Sequence, residues 1–163
     1  MKPSIRGEAA TDRGVVREIV TAAFGREVEA RLIDRLRADG DAAISLVAVE
    51  EGRIVGHILF SPLAAPFRAL ALAPVSMLPE RQRSGIGSAL IRAGLARAQA
   101  GGWEGVFVLG EPAFYRRFGF DPALAEGFRS PYSGPYLMAL ALAGKLPAAS
   151  GAIAYAPAFD GLG

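Results

Sequence analysis

No cysteine occurs in the chain, which excludes disulfides, thiolate metal sites and a covalent cysteine acyl-enzyme. There is one histidine, His57, so no histidine pair is at hand to hold a metal, and none is expected. Only Lys2 and Lys145 are lysines, and the net charge is a mere +2. The arginines are scattered through two early helical stretches and a loop instead of lining up, so nucleic-acid binding is unsupported. No apolar stretch reaches about eighteen residues without a charge or proline in its way, and MKPSIRGEAATDRG has no hydrophobic signal core. Neither membrane contact nor secretion is expected, and the cytoplasm is the default compartment.

What remains is enough for a folded domain. At 163 residues and 52% apolar, slightly above the usual 45–50%, the chain reads as one domain over 1–163 with a single good core. Ser4–Glu8 reads as a first strand. Thr11 is placed to cap a helix from Asp12 to about Phe24, and EVEARLIDRLRA, 27–38, is a second helix ended by Gly40. Ile44–Val49 and Arg53–Phe60 make a hairpin about Glu51-Gly52. Phe67–Leu78 is apolar enough for a strand covered on both faces, with a bulge or break at Pro74, which cannot donate to a ladder. A helix over Ser88–Gln99, carrying Leu90, Ile91, Leu95 and Ala98 on one face, stops at Gly101-Gly102. A strand at Gly105–Leu109, the segment EPAFYRRFGF and a last strand near Leu137–Leu142 follow. The Ala/Gly/Pro-rich end, 145–163, is expected to fray in its final residues.

The most informative feature is QRSGIG, Gln82–Gly87, between the apolar strand and the helix after it. The first N–H groups of a helix lack internal acceptors, and the macrodipole adds positive charge there. Gly85 and Gly87 let the backbone approach a phosphate without side-chain interference. A P-loop is excluded, because no Gly-Lys-Ser/Thr occurs, and a dinucleotide fingerprint would need glycine at Leu90. These six residues by themselves leave open an ordinary glycine turn ahead of a helix.

The wider pattern narrows the choice. VSMLPERQRSGIGSALI, with Gln82, Gly85 and Gly87 in the form Gln/Arg-x-x-Gly-x-Gly/Ala, resembles the acyl-CoA loop of the GCN5-related N-acetyltransferases (GNAT). Tyr115 with Gly119-Phe120 is similar to that family's fourth helix and the turn after it. The wording LGEPAFYRRFGF looks most like the bacterial branch called YhbS-like predicted acetyltransferases. The resemblance spans roughly residues 53–122. It implies an α/β fold with a central mixed, mostly antiparallel twisted sheet of about six to seven strands. About four helices flank it, and it is splayed between the fourth and fifth strands.

The resemblance also implies an activity and roles. An N-acyltransferase would move acetyl from acetyl-CoA to a primary amine of a small molecule or peptide, by direct transfer in a ternary complex, without a metal. A homodimer is allowed for. The second class left open is a catalytically quiet acyl-CoA-binding regulatory module. Val75, Ser76 and Met77 would pair with the pantetheine amides, with the Met77 N–H polarising the thioester carbonyl. Gln82 opens the motif, and Arg83, Ser84, Gly85, Ile86, Gly87 and Ser88 would wrap the pyrophosphate. Arg81 and Arg83 are the candidate cations there, each with solvated loop charge as its other reading. Tyr115 matches the general acid that protonates the departing thiolate, against a second reading as a core aromatic. One departure stands out: many relatives carry an asparagine about seven residues before this tyrosine, where this chain has Val108.

The chemistry demands one more group. An alkylamine with a pKa near 10.4 must lose a proton before it attacks. Glu50, Glu51 in its turn, Glu80 beside the loop, Glu111 and ordered water are the candidates for taking it, together with His57, a lone strand histidine for which a structural role is the favoured reading.

Overall fold

The computed structural model describes residues 3–160. β1 (Ser4–Gly7) leads into α1 (Arg13–Phe24) and α2 (Val28–Ala38), and then β2 (Ile44–Glu50), β3 (Arg53–Leu63) and β4 (Ala69–Met77) run antiparallel. α3 (Ile86–Ala100) carries the chain over to β5 (Gly105–Leu109), parallel to β4. After α4 (Pro112–Tyr115) and α5 (Pro122–Ala125), β6 (Phe128–Arg129) pairs with β8 (Gly151–Ala152), while β7 (Leu137–Ala141) joins the main sheet. That sheet has six strands in the order β1-β2-β3-β4-β5-β7. It is the mixed, mostly antiparallel sheet with flanking helices that the resemblance implies. Among the described residues, no helix is long and apolar enough to cross a membrane.

The helices form where apolar residues recur at helical spacing. α1 buries Val16, Ile19 and Val20 and turns its arginines outward. Its start differs from expectation. Thr11 falls in a 3-10 turn, and the carboxylate of Asp12 ties the entry down instead, accepting from the Ala9 N–H at 2.7 Å and from Arg6. The side chain one residue on reaches both the free amide and a cation of β1, which the threonine hydroxyl does not. α3 begins two residues earlier than its periodicity suggests, because Ile86 is fully buried and counts as its first apolar contact.

Each face of the sheet has its own core. α3 covers Leu46, Ile58, Phe60, Leu70, Val106 and Met138. Its approach is close: a Cβ on Gly94 would stand 2.2 Å from the Phe60 ring. α1 and α2 cover Val47 and Leu59 on the other face. Fully burying one such side chain is worth about 1.5–3 kcal/mol. The last described segment joins this second core, with Ala156, Ala158 and Phe159 buried about a turn that begins at Pro157. The fraying expected of the last residues concerns 161–163, which lie outside the described residues.

Two interruptions in β4 shape the site. Phe60 faces Leu72 but Ile58 faces Val75, so β4 holds an extra residue at Ala73-Pro74, a bulge where the proline was read. On its other side β4 pairs with β5 only through Ala69, Leu70 and Ala71. Beyond that point the two strands part, and the sheet is splayed between its fourth and fifth strands.

Candidate functional site

The splay leaves backbone groups of β4 without a strand partner. Leu78 N–H donates to the Val55 carbonyl of β3 at 2.9 Å. Alternate residues of a strand direct their amides to the same side, so Ser76 also faces β3. The amides of Val75 and Met77 therefore point into the splay. The Ser76 side chain is buried on the α1/α2 face, with no partner for its hydroxyl among the described residues.

The loop lies beside that edge. Gly85 caps α3 in the left-handed region at φ 87°, and its carbonyl accepts the Ala89 N–H at 3.0 Å. Arg83 is also left-handed, at φ 65°. Ser84 Oγ donates to the Arg81 carbonyl, and Gln82 is exposed. Met77, Arg83, Gly85, Gly87, Ser88, Phe114 and Arg117 line a cavity of about 370 Å³. The expected β4 end and loop glycines thus share one hollow, at the N-terminus of α3. A Cβ on Gly87 would meet the Met77 methyl at 3.1 Å, so glycine there keeps the floor open.

Phe114 and Arg117, which stack with the guanidinium carbon 4.9 Å from the ring centroid, were not singled out in the sequence. The signal was present in the spacing: each lies one or two residues from Tyr115 within a single helical turn. Tyr115 itself is not one of the residues that line the cavity. Its half-buried ring packs on Phe114 and Phe120, with centroids at 5.0 and 5.8 Å. It also lies against Gly110, where a Cβ would come within 2.5 Å of it. Burial pushes the Tyr115 hydroxyl above its ordinary value, so it remains protonated at neutral pH.

The two candidate arginines separate. Arg83 lines the cavity, whereas Arg81 turns away to Glu50, with nitrogen–oxygen distances of 2.5 and 2.6 Å. Glu50 is thereby committed to an ion pair. Glu51 is exposed in its turn at φ 50°, Glu80 lies 4.0 Å from Arg53 on the surface, and Glu111 is exposed at the start of α4.

His57 is completely buried. Its Nε2 lies 2.8 Å from Ser45 Oγ, and Ser45 donates its one hydroxyl hydrogen to Glu8 at 2.9 Å. Nε2 must then be the protonated nitrogen, leaving Nδ1 bare. Arg37 closes the chain on Glu8. Burial, aided by the Arg37 charge, lowers the His57 pKa to about 3. A base that weak cannot hold the proton of an alkylammonium, and His57 is left as a tie between strands. The unfolded imidazole titrates near 6.5, so between these values the unfolded chain binds a proton that the folded chain does not. Stability should be full above about pH 6.5 and fall as pH drops toward 3, by up to about 1.4 kcal/mol per unit. Urea midpoints from pH 7.5 to 4.5 will show this acid limb, and His57→Gln should flatten it.

Comparison with known proteins gives a consistent outcome. The family model described as Acetyltransferase (GNAT) family matches residues 14–120. "Uncharacterized N-acetyltransferase YjhQ" of Escherichia coli K12 is 40% identical over 134 residues, which is 77% of this chain and 74% of that protein. "Uncharacterized N-acetyltransferase YhbS" of the same strain is 31% identical, over 80% of each. The crystal structure of YhbS from Escherichia coli in complex with CoA superposes with a TM-score of 0.92 at 28% identity, over 100% of this chain and 94% of that one. A GNAT family acetyltransferase from Brucella melitensis in complex with acetyl-CoA gives 0.82 at 38% identity, over 97% and 98%.

Proposed function

This chain belongs to the GNAT acetyltransferase family, and from that membership we propose that it transfers acetyl from acetyl-CoA to a primary amine, by direct transfer in a ternary complex. The observation that carries this reading is the amide edge of Val75 and Met77, left without a β5 partner, which ends at Met77 in the cavity that Met77 lines together with Gly85 and Gly87. A linear chain with amides fits such an edge as an added strand would, and the α3 N-terminus with Arg83 and Arg117 suits a diphosphate. Two similar proteins hold CoA and acetyl-CoA.

Acetyl-CoA would supply the activated acyl group; the remaining work falls to the chain. The Met77 N–H is aimed to polarise a thioester carbonyl, where negative charge develops. Val75 and Met77 hold the pantetheine arm along β4, while Ser84 to Ser88 and Arg83 grip the diphosphate, with Gln82 leading into the turn. Tyr115 hands a proton to the departing sulfur, and the proton that the attacking amine gives up leaves through water. Holding both substrates in one cleft supplies much of the remaining acceleration. The acceptor is a small-molecule or peptide amine.

Two measurements on one sample test this. CoA or acetyl-CoA should raise the melting temperature through linkage, and thiol should be released when polyamines, amino acids, aminoglycosides or short peptides are added. Binding without thiol release from any amine would return the chain to the regulatory class. No thermal shift with acyl-CoA at millimolar concentration would remove the cofactor assignment.

A further inference from the structure

The loop that borders the cavity holds a costly conformation. Arg83 has a side chain and yet sits at φ 65°, a region that residues other than glycine occupy only when their surroundings over-determine it. On its C-terminal side the anchor is visible: Ile86 is fully buried, and it fills the place where a Cβ on Gly56 of β3 would come within 2.8 Å. An anchor is needed on the N-terminal side as well, since a hinge fixed at one end leaves the turn free to relax.

Arg81 supplies it. Its backbone N–H donates to the Leu78 carbonyl at 2.8 Å and its carbonyl accepts Ser84 Oγ, so the residue is the hub of the turn. Its guanidinium reaches across to Glu50 at the end of β2 with both oxygens within 2.6 Å. The Glu50 side chain is 14% exposed and that of Arg81 39%, so the pair is far less open to solvent and salt than Arg53–Glu80, where the exposures are 68% and 61% and the separation is 4.0 Å. Arg81 therefore joins the β2–β3 hairpin to the segment that enters the phosphate loop. Its charge is spent on a carboxylate and not directed into the cavity, whose lining includes Arg83 but neither Arg81 nor Glu50.

Resting on the acyl-CoA reading above, we propose that Glu50 is a positioning residue for the cofactor: its ion pair with Arg81 holds residues 82–87 in the binding geometry before any ligand arrives. Pre-organisation of this kind acts on affinity, because a loop already ordered loses less freedom on binding. A negative charge beside an anion site would ordinarily weaken anion binding. Here the carboxylate strengthens it, through the arginine it restrains.

The test is a double-mutant cycle read by CoA affinity and by steady-state kinetics. Glu50→Gln and Arg81→Gln should each raise the dissociation constant for CoA by about tenfold, and the double variant should do no worse than either, because both remove one interaction. The turnover number at saturating acetyl-CoA should stay within about twofold, so the loss appears in KM alone. Tighter CoA binding by Glu50→Gln would overturn the proposal, since it would mean that the freed Arg81 serves the phosphates directly. Unchanged affinity with a lowered melting temperature would overturn it too, leaving a purely structural ion pair. If the unaltered protein fails to bind CoA, the acyl-CoA reading falls and takes this one with it. If it binds CoA normally and only the variants behave otherwise than stated, the positioning role fails alone.

Discussion

Tyr115→Phe should lower turnover with acetyl-CoA by roughly 100- to 10,000-fold, the range that a positioned general acid contributes. The variant deletes one oxygen and keeps the ring, so the contacts with Phe114, Phe120 and Gly110 survive. Affinity for acetyl-CoA should hardly change, because the cavity wall is made by Phe114 and Arg117. The decisive measurement is single-turnover kinetics together with the CoA dissociation constant, which separates chemistry from product release. A core aromatic would behave in the opposite way, with turnover within a few-fold and the cost appearing in the melting temperature. That outcome would leave the acid unassigned.

Gly87→Leu should abolish most of the stabilisation that acyl-CoA confers. A ligand at a hundred times its dissociation constant adds about 2.7 kcal/mol, and a hundredfold loss of affinity removes nearly all of it. The site is well chosen for this purpose. Gly85 needs its left-handed φ of 87°, so a side chain there would strain the turn itself. Gly87 has no such requirement, and a Cβ there meets only the flexible Met77 methyl. The side chain of the leucine would instead occupy the cavity. Thermal scans with and without acetyl-CoA decide the matter: an unchanged melting temperature for the free protein should accompany a lost shift. A retained shift would move the diphosphate away from this loop.

The parts of this protein that could be read from its sequence are those fixed locally. Gly40, Gly101 and Gly102 mark helix ends, Pro74 marks the bulge, and the apolar periodicity of 28–38 and 88–99 gives two helices, because each depends on a few neighbouring residues. QRSGIG could be read for the same reason, since its glycines act on their own backbone. Distant partners hid the rest. Arg81 looked like a phosphate ligand until Glu50, 31 residues away, claimed it. His57, a lone strand histidine, favours a structural reading from the sequence, and the packing of α2 against the sheet removes its remaining chance as a base by excluding its proton. Spacing puts Phe114 and Arg117 beside Tyr115, but that they line the cavity with Gly85 and Gly87 depends on how the segment after β5 packs against the loop. Asp12 took the role read for Thr11 because β1 carries Arg6 beside it.

The parting of β4 from β5 gives the molecule an unusual kind of boundary. Unpaired strand edges normally lie at the rim of a sheet, where they invite other chains, and proteins blunt them with charge, proline or a covering loop. Here the unpaired edge is in the middle. β4 stays laddered to β3 through Val75, Ser76 and Met77, while the far side of these three residues meets no strand among the described residues, and β5 is backed by β7. The edge is therefore set between two strands of the same sheet and not at its rim. Whatever satisfies those amides from outside has to lie between two strands of one sheet, beside the loop that opens α3. An edge that at the rim of a sheet would invite other chains is here kept inside the fold, next to the cavity at the loop.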